Sequence, residues 1–344
     1  MPRLPMAAGA FYLPKIVIGF TDEGRIEAVI TDDEVLRRFK ERYNLLVILG
    51  PTASGKTGLA VRLARRINGE IISADSRQVY RGMNLGTGKD LTEYGRGGTV
   101  VPYHLIDILN PDEEFSVFAY QEHFDRCFQA ITGRARIPLM VGGTGLYLDA
   151  VISGYRMPAV PENHDLHEKL AGEEMESLRR RLLAIVGSVH NSTDLLERTR
   201  LIRAIEIAEF TRDHPNDIRT QIPIYPLIMG IRCERGELRR KITARLASRL
   251  KEGMIEEVHR LHQQGLGWER IDSFGLEYRF IGRYLQGRMG SEEMFQKLNT
   301  NIHQYAKRQE TWFRRMEKNG VKICWIDGAD DDHAIELIAC LTQQ

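Results

Sequence analysis

The chain has 344 residues, enough for a large core and two domains. Hydrophobic residues make up 42% and charged residues 28%, a globular balance, and no apolar run approaches the ~20 residues of a membrane span. A net charge of +1 excludes a general polycation, and the scattered cysteines Cys127, Cys233, Cys324 and Cys340 show neither disulfide nor metal spacing, as suits a reducing cytoplasm.

The first twenty residues lack a positive segment followed by a long apolar one, so no signal peptide is expected. IVIGF, TDEG and RIEAVI predict a short hairpin turning at Asp22 to Gly24, and Asp32 to Arg42 predicts a short helix with an acidic start. Residues 1–44 carry no chemistry of their own and read as an N-terminal extension.

Leu45 to Leu49 are five apolar residues in a row, the pattern of a strand buried on both faces of a parallel sheet. Gly50, Gly55, Lys56 and Thr57 then fit G-x-x-x-x-G-K-[ST], the phosphate-binding loop. Glycines let successive backbone N–H groups turn inward around an anion. Lys56 is a point charge for a terminal phosphate, and Thr57 offers a hydroxyl to Mg²⁺. The helix predicted over Lys56 to Arg66 points its positive end at the same anion. A chance Gly-rich turn would lack the strand before it and the amphipathic helix after it.

Glu70 to Ser73 predicts a second strand, which sets Asp75 just past a carboxyl end, where ligands bind in open α/β sheets. Three readings of Asp75 stand side by side: a Mg²⁺-holding carboxylate, a general base, and a cap or turn residue. Met83 to Asp90 is a glycine-rich loop containing Lys89, and His104 to Leu109 is a further apolar segment. Ser116 is a candidate cap for a helix from Val117 to about Ile131. Ile137 to Val141 predicts a buried strand running into Gly142-Gly143-Thr144-Gly145, where bare backbone can approach a ligand.

Pro158 and Pro161 break the pattern. From His164 to Phe210 apolar residues recur only at helical spacing, which predicts a small helical insert. Arg198, Arg200 and Arg203 either track a phosphate backbone or pair on a wet face. Ile224 to Ile231 returns to the sheet. Glu237 to Gln264 predicts one long helix carrying Arg245 and Arg249. Ser273 to Arg279 opens another, and Ser291 caps a last long one holding Tyr305 to Arg315. From Gly230 to Lys318 there are 19 Lys and Arg against 12 Asp and Glu, a surplus that suits RNA or simply a solvated helical surface. Tyr305, Trp312 and Phe313 stand among these cations. Such rings can stack RNA bases, although helical spacing favours a core role for Trp312 and Phe313. Val321 to Ile326 predicts a final strand.

With these pieces placed, the chain resembles the tRNA dimethylallyltransferases, also called tRNA isopentenyltransferases. The resemblance rests on GPTASGKT (50–57), SADSRQVYRGMNLGTGKD (73–90), HLIDIL (104–109), LMVGGTGLYL (139–148), RLIRAIEI (200–207) and YAKRQETWFRR (305–315), in the family's order over roughly residues 45 to 327. It implies an α/β fold, a P-loop NTPase-like parallel sheet flanked by helices with a small all-helical insertion. The expected division is 1–44 extension, 45–157 with 223–344 core, and 158–222 insertion. It also implies transfer of a dimethylallyl group from dimethylallyl diphosphate to N6 of the adenosine next to the anticodon of tRNA, position 37, releasing diphosphate. Mg²⁺ is the implied cofactor, and a cytoplasmic monomer without a membrane is expected.

Carried over by residue, the resemblance puts the donor diphosphate on Gly50, Thr52, Ala53, Ser54, Gly55, Lys56 and Thr57, with Arg245 beside it and Mg²⁺ on Thr57. Asp75 matches the family's catalytic base and Thr144 a threonine at the reaction centre. Asp75, Ser76, Arg77, Gln78, Arg200, Arg203, Gly275, Arg279, Lys307, Arg308, Gln309 and Arg314 match tRNA-contacting stretches. Three places depart from the pattern. A usual Gly-Tyr-Lys-Glu block reads Gly275-Leu276-Glu277-Tyr278, a usual Thr-Arg pair reads Ile302-His303, and an expected arginine aligns with His167. The rival readings are a P-loop small-molecule kinase, prenyl transfer to free adenine nucleotide, and a non-catalytic RNA-binding module that would leave the phosphate loop unexplained.

Overall fold

A computed structural model describes residues 16–20, 26–154, 160, 163–187, 195–214 and 222–343. In chain order the elements are β1 (Ile16–Phe20), β2 (Ile26–Thr31), α1 (Asp32–Arg42), β3 (Leu45–Leu49), α2 (Lys56–Arg66), β4 (Gly69–Ala74), α3 (Thr92–Gly95), β5 (Tyr103–His104), α4 (Val117–Gly133), β6 (Ile137–Gly142) and α5 (Gly145–Ile152). They continue with α6 (His164–Ala171), α7 (Met175–Val186), α8 (Arg198–Asp213), β7 (Pro226–Arg232), α9 (Arg235–Lys251), α10 (Met254–Gln263), α11 (Trp268–Ser273), α12 (Leu276–Leu285), α13 (Ser291–Lys318), β8 (Cys324–Asp327) and α14 (Asp331–Gln343).

Six strands form one parallel sheet in the order β5-β4-β6-β3-β7-β8. The phosphate-loop strand β3 is central, paired with β6 through Leu46↔Leu139 to Leu49↔Gly142 and with β7 through Leu45↔Pro226 to Leu49↔Gly230. All five of its residues are fully buried, as an unbroken apolar run in a sheet covered on both faces requires. Crossover helices return the chain so that every strand of this sheet ends on the same edge. The loops after β3, β4 and β6 therefore meet there.

The chain divides into two compact units, residues 1–153 with 224–344, and residues 154–223. The second contains α6, α7 and α8 around Leu170, Leu178, Leu182, Leu201, Ile202 and Ile205. The boundary prolines Pro158 and Pro161, and the hairpin turn at Asp22 to Gly24, lie outside the described residues.

Several elements differ from their sequence pattern. The apolar segment His104 to Leu109 is strand only as far as His104, because Leu105 and Asp107 adopt left-handed backbone, with φ of 61° and 55°. The predicted helix Glu237 to Gln264 is two helices, broken at Gly253 with φ of 103°. Gly290, not Ser291, caps α13. Ser116 caps α4 as expected, accepting the Ala119 N–H at 3.1 Å.

Helix α1 corrects the reading of residues 1–44 as a bare extension. Val35 and Phe39 are buried in the cluster that includes Leu46, Leu59, Leu63, Ile335 and Ile338. Asp32 receives both arms of the buried Arg66 guanidinium, at 2.9 and 2.8 Å, and Asp332 at the start of α14 takes a third at 2.7 Å. Removing one partner of a buried ion pair leaves a charge without compensation. Asp32→Ala should therefore lower stability by on the order of 3 kcal/mol. Urea unfolding monitored by circular dichroism measures this, and a midpoint equal to that of the parent chain would refute it. Deleting residues 1–44 should cost more, since it also exposes the surface under Phe39.

Candidate active site at the carboxyl edge of the sheet

The phosphate loop follows directly from β3. Ala53 and Gly55 take left-handed backbone, φ 61° and 87°, and Gly55 caps α2 with no side-chain hydrogen bond to its first turn. The N–H groups at that end of α2 are thus free of an internal side-chain acceptor, the condition for receiving an anion. A Cβ on Gly50 would stand 2.8 Å from Ser54 Oγ, so the loop closes only on glycine. Ser54 itself is buried, and its hydroxyl has no partner among the described residues. Lys56 donates to the Pro51 carbonyl at 3.3 Å. Burial pushes its ammonium down to about 8, and the neighbouring Arg245 cation adds to that push.

On β4 and β6 the next two strand ends meet. Gly142 lies against the Ala74 carbonyl where a Cβ would collide. Thr144 N–H donates to Ala74 O at 3.3 Å, and Thr144 Oγ1 accepts the Ser76 N–H at 3.3 Å. Asp75 and Thr144 are thereby locked on adjacent strand ends. Asp75 Oδ1 accepts the Arg77 N–H at 2.9 Å, a turn-closing bond, while Oδ2 has no hydrogen-bond partner among the described residues.

The C-terminal helices close the site from the other side. Arg245 and Arg249, four apart on one face of α9, both reach Asp90, at 2.5 and 3.0 Å. Burial and the adjacent Arg249 hold Arg245 below its ordinary value. A cavity of about 790 Å³ opens between these groups. Thr52, Ala53, Gly55, Lys56, Thr57, Asp75, Ser76, Arg77, Arg245, Arg249, Gly275 and Tyr305 all line it. Leu276 and Ile302 give it apolar wall, and Glu277, whose carboxyl burial raises, stands on the same wall. Two of the departures from the family pattern therefore fall on this cavity.

Some residues matched to tRNA-contacting stretches have other employment. Gln309, buried on α13, accepts the Thr52 N–H through Oε1 and donates to Gly143 O through Nε2, each at 2.8 Å. It is a strut between the phosphate loop and the β6 loop. Gly143 has to lack a Cβ for Gln309 to seat there. Gln78, on the cavity wall, is likewise engaged internally, accepting from Ser73 Oγ at 3.0 Å and donating to Gly88 O at 3.2 Å. Arg203 belongs to the second unit, where it holds the buried Glu206 at 3.0 Å and the Val160 carbonyl at 2.7 Å. Arg200 pairs there with Glu197 at 3.2 Å on the surface. Arg279 pairs with Asp272 at 3.0 Å. Lys307, Arg308 and Arg314 are exposed on α13, with Arg308 over the Tyr305 ring. Phe313 is fully buried, whereas Trp312 is half-buried against Gly145 with Arg315 over its ring.

Residue patterns alone missed Glu257 and the true work of Lys89. Glu257, on α10, is buried and accepts the N–H groups of Asn84, Leu85 and Gly86 at 2.8, 2.8 and 3.0 Å and the Tyr278 hydroxyl at 2.7 Å. Lys89 is buried too, donating to Tyr80 O at 2.6 Å, to Asn84 Oδ1 at 3.2 Å and to Asp107. Together they fix the glycine-rich loop at the cavity. A cation and a carboxylate 168 residues apart leave no local signature.

Comparison with known proteins places the chain in a family. The IPP transferase family model matches residues 78–316, and the isopentenyl transferase model matches residues 43–98. The chain belongs to the tRNA dimethylallyltransferase family. A relative from Syntrophus aciditrophicus, tRNA dimethylallyltransferase 1, is 56% identical over 83% of this chain and 94% of its own. The crystal structure of the full-length tRNA isopentenylpyrophosphate transferase of Bacillus halodurans is 34% identical, covering 88% of this chain and 96% of that one with a TM-score of 0.63. A eukaryotic dimethylallyltransferase crystallised acting on tRNA shares the fold, with a TM-score of 0.67 at 21% identity over 87% of this chain and 77% of that one. The two family models together run from residue 43 to residue 316, and no helix among the described residues is long and apolar enough to cross a membrane.

Proposed function

We propose that the protein transfers a dimethylallyl group from dimethylallyl diphosphate to N6 of adenosine 37 in tRNA. One observation carries this reading: the phosphate loop, Asp75 and the arginine pair of α9 open into a single cavity. An anion site and a carboxylate in one chamber suit a reaction with an anionic leaving group and an N–H nucleophile.

The donor diphosphate lies on the loop N–H groups and Lys56, with Arg245 opposite. As the allylic C–O bond breaks, these donors take up the charge growing on the leaving oxygen. The N6 nitrogen forms the new C–N bond, and its proton passes to the Asp75 carboxylate. Diphosphate departs. Thr144 orients the strand end that carries Asp75. The adenine reaches the cavity by leaving its stack, as bases do in enzymes that modify them. The exposed cations of α13 are the candidates for holding the tRNA backbone. A magnesium ion would be held by Thr57, the second residue of α2 and part of the cavity wall, since Mg²⁺ takes few protein oxygens and completes its shell with phosphate and water. When bound it neutralises charge on the departing diphosphate.

Incubation with labelled dimethylallyl diphosphate, Mg²⁺ and unmodified tRNA tests the reading. Digestion should release prenylated adenosine. Label on free nucleotide alone, or phosphate transfer from ATP, would replace it.

The depressed Lys56 ammonium makes a pH prediction. Below about pH 8 the side chain already carries its proton, so Lys56 adds no pH dependence to donor affinity. Above that value the free protein holds a neutral amine. Diphosphate binding then restores the charge and draws a proton from buffer, and affinity should fall by up to about tenfold per pH unit. Calorimetry with inorganic diphosphate at pH 9, in two buffers of different ionisation heat, should report close to one more proton taken up by the parent chain than by Lys56→Ala, a difference that cancels the proton diphosphate itself carries. Equal proton uptake by the two at pH 9 would contradict the assignment of Lys56.

A further inference from the structure

The carboxylate of Asp90 sits where an anion is expected. It touches Arg245 Nη2 through Oδ2 at 2.5 Å and Arg249 Nη2 through Oδ1 at 3.0 Å, one oxygen for each guanidinium. Arg245 also donates to Gly88 O at 3.4 Å. The loop that presents Asp90 is built for this contact. Gly88 has φ of +68°, and a Cβ there would run into both guanidinium groups. Lys89 points the other way and is anchored by its three acceptors. Asp90 itself takes left-handed backbone, φ 45°, which costs a non-glycine residue energy unless its surroundings hold it. Glu257 clamps the same loop from beneath by three backbone N–H groups. Lys56, Arg245, Arg249 and Asp90 all line one cavity. Three cations converging there repel one another, and the Asp90 carboxylate offsets that repulsion.

We propose that Asp90 is an internal counter-anion that occupies the two α9 arginines in the free protein, is displaced from them by diphosphate, and returns to speed diphosphate release. The proposal rests on the reading of this cavity as the donor site. Binding then exchanges one ion pair for another instead of filling an empty cationic pocket. The exchange weakens affinity for diphosphate, which is product as well as part of the donor. It also keeps Arg245 and Arg249 extended into the cavity, so little side-chain ordering remains to be done when donor arrives.

Two substitutions test this. Asparagine tolerates left-handed backbone and glycine prefers it, so Asp90→Asn and Asp90→Gly both keep the loop while removing the charge. In each, Kd for inorganic diphosphate, measured by calorimetry with Mg²⁺ present, should fall roughly three- to tenfold. Product inhibition by diphosphate in the transfer assay should tighten by the same factor. Damage to the loop would weaken binding, so a gain separates the counter-anion role from a structural one. Unchanged or weaker binding in both variants overturns the proposal, as does loss of folding in both. Weakening confined to Mg²⁺-containing buffer would make Asp90 a metal ligand instead. Lys56→Ala serves as the control. If the parent chain binds no diphosphate, or binds it equally well without Lys56, the donor-site reading itself fails. If binding is Lys56-dependent and the Asp90 variants do not tighten it, only the counter-anion role falls.

Discussion

Asp75→Asn should lower the single-turnover rate of prenyl transfer by ~10²–10⁴, the usual loss when a general base is removed. The structure makes this substitution unusually clean. Asp75 Oδ1 closes a turn onto the Arg77 N–H, and an asparagine oxygen can accept the same bond. The loop, its link to Thr144 and the cavity outline should all persist, and only the proton acceptor is lost. Binding of donor and of tRNA should change little. The two other readings of Asp75 give different outcomes. A Mg²⁺ ligand predicts weakened metal-dependent donor binding that excess Mg²⁺ restores. A purely turn-forming residue predicts a rate within a few-fold of the parent. Single-turnover kinetics with both substrates saturating, repeated across Mg²⁺ concentrations, distinguishes all three, and the last outcome would remove Asp75 from the chemistry.

Lys56→Ala should reduce kcat/KM for dimethylallyl diphosphate by ~10²–10³, the scale seen when one preorganised donor to a developing anion is deleted. The loss should fall on both kcat and donor KM, because the charge serves the bound diphosphate and, more strongly, the departing one. The tRNA KM should stay within a few-fold. Lys56→Arg should rescue poorly: the planar guanidinium is larger than an ammonium, and the Pro51 carbonyl against which Lys56 sits leaves it a different geometry. Steady-state kinetics with donor and tRNA varied separately measures the split. An unchanged donor kcat/KM would refute the phosphate-loop assignment.

Local signals were legible wherever one stretch of chain makes its own structure. The buried strand Leu45 to Leu49, the phosphate loop after it, and the cap at Ser116 each follow from neighbouring residues, and each formed as its pattern requires. The break at Gly253 did not announce itself, because the apolar spacing of α9 and α10 runs on across it while the backbone turns at a left-handed glycine. Nor did the place of α1. Its acidic first turn looks like a solvated helix start, yet Asp32 there neutralises a buried arginine 34 residues away.

By itself, then, the sequence determined that this chain has a parallel α/β sheet, a glycine-rich loop of phosphate-loop pattern at the end of its central strand, an Asp75 just past a neighbouring strand's end and the motif order of its family. These rest on short-range rules: side-chain period, backbone freedom at glycine, and charge at a helix terminus. Tertiary structure alone decided which polar groups in the cavity wall are engaged with the protein itself. Gln309 and Gln78 sit among residues matched to RNA contact and line the cavity, but packing turns their amides onto Thr52, Gly143 and Gly88. Asp90 lies on a different segment from the α9 pair Arg245 and Arg249, and their convergence depends on the fold of a loop held by Glu257 and Lys89. A side chain's partner is set by what the fold brings within about 3 Å, and no spacing along the chain encodes that distance.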